Sequence, residues 1–319
     1  MKWSDKVEPL FLEGVLQDKI WGGTKLRDEF GYDIPTETTG ELWAISAHPN
    51  GPATIKNGEY AGKTLAELWK TNRGLFGNQE GETFPLLTKI IDAHNDLSVQ
   101  VHPDDAYGLA HEGELGKTEC WYVLSAEPGA KIVFGHNATS EEEFKLFIEN
   151  DKWEDLLRSV KVEAGDFFYV PSGTVHAIGS GVMILETQQS SDTTYRLYDY
   201  ERRDDSGNLR ELHIKESIDV TTIPHSDEQP KFVINKQENG FLKTLISNEF
   251  FTVYEWDLWG EVSFDQKGLY TLISVIDGQG ELLLSDSKFK IKKGDHFILP
   301  NNIEHWKFLG DLKIIASHP

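Results

Sequence analysis

Two stretches of the chain follow one pattern, and each ends in a histidine. Residues 165–176 read GDFFYVPSGTVH, and residues 294–305 read GDHFILPNNIEH. In both, Gly-Asp precedes alternating apolar residues, a proline follows six residues after the glycine, and a histidine follows five residues after the proline. Because neutral imidazole is a common metal ligand, His176 and His305 are candidates for metal chemistry.

A second set of polar side chains lies in residues 96–105, which read DLSVQVHPDD. Side chains alternate faces along a strand, so Ser98, Gln100 and His102 point the same way. The proline after His102 ends the strand, and a histidine before a proline is, taken alone, more often a turn residue than a metal ligand.

Lys117 and Glu119 begin a later predicted strand and again share a face. His102, Glu119 and His176 would form a nitrogen-and-oxygen metal site if the fold brought them together, and Gln100 would be a fourth ligand. Two histidines and a carboxylate, with room for water, are a common arrangement for catalytic zinc. The ligand set alone leaves iron, manganese and cobalt open.

The second copy of the pattern lacks these partners. Aligning the strands that precede the two copies places Thr271 opposite Glu119, and no His-x-His or Gln-x-His precedes it. His305 therefore keeps the turn without its co-ligands. We predict that His176 belongs to a metal site and that His305 does not.

The elements that must position these residues are mostly short strands separated by Gly, Asp, Asn and Pro. Capping-box patterns at Thr64-x-x-Glu67 and Ser140-x-x-Glu143 predict two helices, and apolar spacing extends the second to Val160. The predicted strands cover residues 86–92, 97–102, 119–124, 131–134, 166–170, 182–188 and 193–198, then 251–258, 270–276, 280–285, 289–291, 296–299 and 312–315.

A polar segment with two prolines at 222–231 separates these two series of strands and is a plausible linker. The simplest interpretation is one β-barrel or sandwich architecture used twice. We expect a metal-binding catalytic domain at 1–222, with an N-terminal segment and helical insertions, and a second, metal-free domain at 232–319.

Composition excludes several classes of protein. The chain has 319 residues, a formal net charge of −22 and a single cysteine, Cys120. The negative charge argues against nucleic-acid binding, because phosphate backbones are repelled. No apolar run is long enough to span a bilayer, the first residues do not read as a signal peptide, and the single cysteine excludes an internal disulfide. We expect a soluble, cytoplasmic protein.

The same stretches resemble a known family. GDFFYVPSGTVH is similar to the second cupin motif, and Gln100-Val-His102 replaces the histidine pair of the first. LSVQVHPDD followed by GKTE resembles type I mannose-6-phosphate isomerase, and IWGGTKLRDEFGY (20–32), GELWAISAHPNG (40–51) and ETQQSSDTTYRLYDYERR (186–203) resemble its short bacterial branch. The resemblance covers nearly the whole chain. It implies a mainly β fold of two cupin-type jelly-roll barrels with a few short helices.

The resemblance also implies an activity. Members of the family are zinc-dependent and interconvert mannose 6-phosphate and fructose 6-phosphate, a small sugar-phosphate substrate. It implies that Zn²⁺ is held by His102, Glu119 and His176, with Gln100 as a further ligand. Arg196 matches the catalytic arginine, while Ser98, Lys117 and Glu186 match residues that line the substrate pocket. After that arginine the chain departs from the longer members, so no downstream phosphate contact is carried over.

The chemistry needs a base, a group that polarises a carbonyl and a phosphate clamp. Glu186 follows an apolar run at 182–185, and partial burial would raise its pKa and make it a better proton carrier, with Lys117 as the alternative. Arg196 presents a planar fork to phosphate or enediolate, and Ser98 could donate to phosphate. An iron-dependent cupin oxygenase and a non-catalytic sugar-phosphate-binding cupin remain alternatives.

Overall fold

The computed structural model describes residues 8–203, 207–227 and 230–319. It is mainly β, with 45% strand and 15% helix, as the sequence predicts. The helices are α1 (Lys25–Asp28), α2 (Leu65–Thr71), α3 (Asp105–His111), α4 (Glu141–Glu149), α5 (Trp153–Leu156) and α6 (Ile214–Val220), with 3-10 turns at Gly58–Tyr60 and Arg73–Phe76. Across the described residues, none of the helices is both long and apolar enough to cross a membrane.

Among the described residues, thirteen strands precede α6 and seven follow it. The first thirteen are β1 (Leu10–Glu13), β2 (Val15–Gly23), β3 (Thr39–Ile45), β4 (Thr54–Ile55), β5 (Leu86–Ala93), β6 (Val99–Val101), β7 (Glu119–Ala126), β8 (Lys131–His136), β9 (Leu157–Lys161), β10 (Phe167–Val170), β11 (His176–Ile178), β12 (Val182–Gln189) and β13 (Tyr195–Tyr198). The others are β14 (Val233–Gln237), β15 (Gly240–Ser247), β16 (Thr252–Asp265), β17 (Thr271–Leu283), β18 (Lys288–Lys292), β19 (His296–Leu299) and β20 (His305–His318).

Two sheets face each other in the first half. The six-stranded sheet has the order β10-β7-β12-β5-β3-β2, and the five-stranded sheet has the order β13-β6-β11-β8-β9. Apolar residues of both sheets, among them Trp121 from the first and Ile132 and Ile178 from the second, share one buried cluster. This pair of antiparallel sheets fits a jelly roll.

The second half is built on one nine-stranded sheet that folds over itself. Gly310 in β20 pairs with Gly260 of β16 on one side and with Gly280 of β17 on the other. Gly260 and Gly310 have φ values of 154° and 141°, which L side chains rarely adopt. The bend brings the rings of Trp256 and Phe264, eight residues apart on β16, to a centroid distance of 4.4 Å. The folded sheet encloses an apolar cluster of its own.

Strand β1 connects the two halves of the chain. In β1, Leu10 pairs with Ile298 of β19, and β1 also pairs with β4, so both strands extend the sheet of the second half. Aromatic side chains add a shared core, because Tyr270 lies 5.3 Å from Phe76 and 5.7 Å from Phe84 between ring centroids. The division of the chain into two domains at 222–231 therefore remains a proposal. Strand β1 precedes that boundary in the sequence but pairs with the sheet of the second half.

The strand register supports the internal repeat. Val170, just before the proline of the first copy, pairs with Glu119. Leu299, just before the proline of the second copy, pairs with Thr271. The alignment that placed Thr271 opposite Glu119 thus describes equivalent positions in the two halves.

One predicted helix is shorter than its pattern suggested. The apolar spacing after Ser140 predicted helix up to Val160, but α4 ends at Glu149 and residues 157–161 form β9. Asp151 has a φ of 52°, which ends the helix, and β9 then pairs with β8. Backbone pairing outweighed a helical spacing of apolar residues.

The helix starts and the second-half strands show further differences. Thr64 and Glu67 form the full capping box, whereas the carboxylate of Glu143 accepts from the backbone of Thr139 rather than of Ser140. Segments 270–276 and 280–285, predicted as two strands, are one strand, β17, with a register shift at Val275. Segment 312–315 is part of β20.

Candidate functional site

Three buried side chains from different parts of the first half converge at one point. Nε2 of His102 lies 3.5 Å from Oε2 of Glu119, and Nε2 of His176 lies 3.3 Å from Oε1 of the same carboxylate. One ligand atom from each residue lies within 4.8 Å of the other two. The structure thus brings together the three residues that the sequence analysis grouped as metal ligands.

Backbone carbonyls fix the orientation of both imidazoles. Nδ1 of His102 donates to the carbonyl of Thr193 at 3.0 Å, and Nδ1 of His176 donates to the carbonyl of Thr174 at 2.8 Å. A carbonyl can only accept, so each Nδ1 carries the hydrogen and each Nε2 presents a lone pair toward Glu119. This is the arrangement in which histidine binds a metal ion.

The facing atoms have unmet bonding capacity. Within the described part of the chain, the two Nε2 atoms and Oε2 of Glu119 are buried without a hydrogen-bond partner. Burial lowers the pKa of His176 to about 4 and that of His102 well below its ordinary value, so both rings are neutral near pH 7. Oε2 of Glu119 has an ion-pair neighbour, Nζ of Lys117 at 3.4 Å, but the two imidazole lone pairs have no such compensation, and a divalent cation would satisfy all three atoms at once.

Gln100 lies between a candidate ligand and the candidate catalytic arginine. In the five-stranded sheet it pairs with His176 on one side and with Arg196 on the other. Directly paired residues project from the same face, so all three side chains lie in one row across the sheet. Gln100 and Ser98 also line the cavity described next.

A polar cavity of about 220 Å³ lies beside the three candidate ligands. All the remaining predicted site residues line it: Ser98, Gln100, Lys117, Glu186 and Arg196. It also contains residues that the sequence analysis did not select, namely Lys19, Trp21, Glu41, Lys89, Asp192, Thr194 and Arg210. Four of these lie inside the stretches that resemble the family: Trp21, Glu41, Asp192 and Thr194. That resemblance was the sequence signal that could have identified them.

Cations and carboxylates alternate across the six-stranded sheet at this cavity. Lys19 lies 3.3 Å from Glu41, and Lys89 lies 3.7 Å from Glu186, its register partner. Burial alone would raise the pKa of Glu41, but the Lys89 and Lys19 ammonium groups outweigh it and lower that pKa to about 2. Buried charges in this wall are therefore compensated by neighbours of opposite sign.

Glu186 differs from the other carboxylates of the wall. Burial, and next the negative charge of Glu119, raise the pKa of Glu186 to about 7. The indole N–H of Trp121 lies 3.1 Å from an oxygen of each of these two carboxylates. A carboxyl group with a pKa near neutrality can both take up and release a proton at physiological pH.

Arg196 is not held by a structural salt bridge among the described residues. One of its terminal nitrogens donates to the carbonyl of Glu211 at 2.7 Å, and its Nε is buried without a partner in this part of the chain. The nearby carboxylate of Asp199 instead accepts from Arg202 and Arg210. Arg196 lines the cavity.

His305 does not take part in an equivalent centre. Its side chain is 75% exposed, whereas that of His176 is fully buried, and its Nδ1 lies 2.7 Å from Asp265. The next residue, Trp306, is buried in the core of the second half. In the first copy of the pattern, His176 faces the interior. In the second copy the residue that faces the interior is Trp306, one position after His305.

Comparisons with known proteins agree with the geometry. A family model described as "Phosphomannose isomerase type I, catalytic domain" matches residues 10–124, and one described as "Mannose-6-phosphate isomerase, cupin domain" matches residues 242–319. Mannose-6-phosphate isomerase of Streptococcus mutans is 58% identical over 312 residues, 98% of each chain. Mannose-6-phosphate isomerase ManA of Bacillus subtilis is 53% identical, over 98% of this chain and 99% of that protein.

Solved structures show the same similarity. The crystal structure of mannose 6-phosphate isomerase from Bacillus subtilis superposes with a TM-score of 0.96 at 49% identity, covering 98% of this chain and 99% of the other. A mutant of phosphomannose isomerase from Salmonella typhimurium shares the fold, with a TM-score of 0.78 at 16% identity over 97% and 99% of the two chains. The chain therefore belongs to the type I phosphomannose isomerase family of enzymes.

Proposed function

We propose that this chain interconverts mannose 6-phosphate and fructose 6-phosphate and uses a zinc ion for the reaction. The observation that most directly supports this proposal is the convergence of His102, Glu119 and His176 next to a cavity rich in cations. The donor set of two imidazoles and one carboxylate fits zinc in an open catalytic site. Family membership supports a sugar-phosphate substrate and a metal cofactor.

His102, Glu119 and His176 would hold the metal, and Gln100 is proposed as a further ligand because it adjoins His176 in the sheet. A bound zinc ion would supply Lewis-acid stabilisation of negative charge on a sugar oxygen. The protein contributes the orientation of the rings, through the carbonyls of Thr193 and Thr174. The hydrogen bonds from Nδ1 to these two carbonyls also raise the basicity of the imidazole ligands.

Glu186 is proposed to carry the proton between C1 and C2 of the sugar. The reaction passes through an enediol or enediolate, so the carrier must accept a proton and return it within one turnover. Burial and Glu119 place the pKa of Glu186 at about 7, which suits both steps. For Lys117, burial would lower the pKa, but Glu119 and Glu186 raise it, so this side chain remains cationic. Lys117 therefore suits substrate binding better than proton abstraction.

The phosphate group is proposed to be bound by the cations of the cavity. Five basic residues line it against three carboxylates, in a chain whose net charge is −22. Arg196 offers a planar fork of donors, either to phosphate or to an enediolate oxygen. Ser98 is buried at the same wall and can donate a hydroxyl hydrogen bond.

We also propose that residues 1–222 form the catalytic domain and that 232–319 form a second domain without a metal. The substrate is a small molecule, and we propose a cytoplasmic location, consistent with one buried free cysteine, Cys120. The iron oxygenase and the non-catalytic binding protein find no support in the comparisons.

The test is a coupled assay that converts mannose 6-phosphate to fructose 6-phosphate, with and without a chelator. We expect turnover that the chelator abolishes and that added zinc restores. Dioxygen uptake measured alongside should stay at background. Turnover that survives complete removal of metal, verified by elemental analysis, would contradict the proposal.

A further inference from the structure

A second cavity, of about 340 Å³, lies in the second half of the chain and has no part in the proposed reaction. It is lined by Val233, Asn235, Gln237, Leu242, Thr244, Tyr254, Trp256, Ser263, Phe264, Asp265, Lys267, Thr271, Trp306 and His318. We propose that this cavity, called here the second-half cavity, is a binding site for a neutral saccharide. Its volume lies within the range of small-molecule sites.

The second-half cavity lies near strand positions that correspond in register to the metal centre of the first half. Thr271 pairs with Leu299 as Glu119 pairs with Val170. His305 pairs with Asp265 as His176 pairs with Gln100, so Asp265 takes the place of Gln100. Lys267, two residues later, takes that of His102. The strand faces are inverted, however, because Asp265 and His305 project to the exposed side, whereas the neighbouring pair Phe264 and Trp306 projects to the interior.

Aromatic rings take the place of the imidazoles. Trp306 faces the interior, its ring parallel to that of Phe264 with an interplanar angle of 4° and a centroid distance of 5.9 Å. Phe264 in turn lies 4.4 Å from Trp256. The electron-rich face of an aromatic ring attracts the weakly positive C–H groups on the flat side of a pyranose ring. Such a wall suits a sugar, and its two potential metal ligands, Asp265 and His318, are already hydrogen-bonded to His305 and Tyr254.

The polar groups of the wall suit hydroxyl groups rather than phosphate. The second-half cavity has one cation, Lys267, and one carboxylate, Asp265, which already accepts a hydrogen bond from His305. The first cavity has five cations. The other polar side chains of the wall are the amides and hydroxyls of Asn235, Gln237, Thr244, Tyr254, Ser263 and Thr271, together with the imidazole of His318, which is hydrogen-bonded to Tyr254. Within the described residues, the buried indole N–H of Trp306 also lacks an acceptor.

Binding can be read out at the cavity itself by ¹⁹F NMR of the full chain, loaded with zinc and labelled with 5-fluorotryptophan. The chain has nine tryptophans, and two of them, Trp256 and Trp306, line the second-half cavity. Their resonances are assigned with Trp256→Phe and Trp306→Phe. Titration with the neutral disaccharide mannobiose at millimolar concentration should shift both resonances. Turnover is not part of this readout, so it stands whether or not the proposed isomerase activity is found.

A cavity-filling variant separates specific binding from a general effect of the sugar. Thr244→Trp places a large ring in the second-half cavity without removing a core residue, and it should weaken mannobiose binding about tenfold or more. Ser285→Trp adds the same side chain at an exposed turn and should bind like the parent chain.

Three results would overturn the proposal. The first is that neither cavity resonance moves with mannobiose. The second is that Thr244→Trp and the parent chain bind mannobiose equally well. The third is that mannose 6-phosphate shifts the resonances of Trp256 and Trp306 while mannobiose does not, which would make the second-half cavity a phosphate site.

Discussion

Glu119 and Glu186 share one hydrogen-bond donor, the indole N–H of Trp121, which lies 3.1 Å from an oxygen of each carboxylate. One of these carboxylates faces the candidate metal position, and the other is the proposed proton carrier. Both are buried, so in a medium of low dielectric the shared donor stabilises whichever of the two carboxylates is ionised. The metal centre and the proton carrier are thereby linked by a single side chain.

Replacing Trp121 with Phe should impair both functions. The ring remains in the core, but the donor is lost and both carboxylates lose a contact. Zinc affinity should fall about 10- to 100-fold, as for other contacts behind a metal ligand, with a matching loss of turnover at limiting zinc. Competition with a chromogenic chelator measures the affinity. Trp259→Phe, at an exposed site, is the control and should change neither quantity.

Glu186→Gln should lower kcat by about two to four orders of magnitude if this residue carries the proton. The parent enzyme should lose kcat/KM as the pH falls through about 7, because protonation of the raised-pKa carboxylate removes the base. Above that pH the base form dominates and this limb of the profile should be flat. Glu186→Gln should not show this loss of kcat/KM as the pH falls through about 7.

Two outcomes would remove Glu186 from the mechanism: an unchanged kcat in the Gln variant, or a variant that keeps the acid limb. Glu127→Gln, an exposed carboxylate paired with Lys25, serves as the matched control. It should retain the parent profile.

The two histidines of the repeat should respond differently to removal. In the parent chain a chelator should lower Tm, since a metal that binds only the native state stabilises it by about 2.7 kcal/mol when its concentration is 100 times Kd. His176→Ala should abolish this chelator-dependent shift. His305→Ala removes an exposed ring and should keep it. Equal loss in both variants, measured by scanning calorimetry, would contradict the assignment.

Arg196→Lys keeps the charge and loses the planar fork. Since the proposed role depends on directed donors, kcat/KM should fall roughly a hundredfold. Arg158→Lys, in a surface pair with Asp227, is the control and should be close to the parent. A near-normal kcat/KM for Arg196→Lys would refute the assigned role.

Gly310→Ala should destabilise the second half. A Cβ atom there would lie 2.6 Å from the carbonyl oxygen of Gln279, and the φ of 141° disfavours any L side chain. We expect a loss of about 1–3 kcal/mol in the free energy of unfolding, measured by urea titration. At Gly74 a Cβ meets no atom within 4 Å, so Gly74→Ala should have little effect.

Many local features of this protein could be predicted from short stretches of its sequence. The capping box at Thr64, the strand 296–299 and the common face of Ser98, Gln100 and His102 all follow from short-range pattern, because caps and side-chain alternation depend on near neighbours in the chain. The equivalence of Thr271 and Glu119 was likewise readable from the repeat, and the register confirms it.

Long-range contacts decided the rest. Residues 157–160 have helical apolar spacing yet form a strand because β8 offers backbone partners. Lys89, with no motif around it, enters the cavity wall only because β5 pairs with β12.

By itself the sequence predicted two related β units and identified three side chains that could hold a metal. Only the tertiary structure decided that Nε2 of His102 and of His176 both face Glu119, and that His305 faces solvent. The physical reason is that a side chain's face depends on strand register and sheet curvature. Contacts between residues far apart in the chain set both.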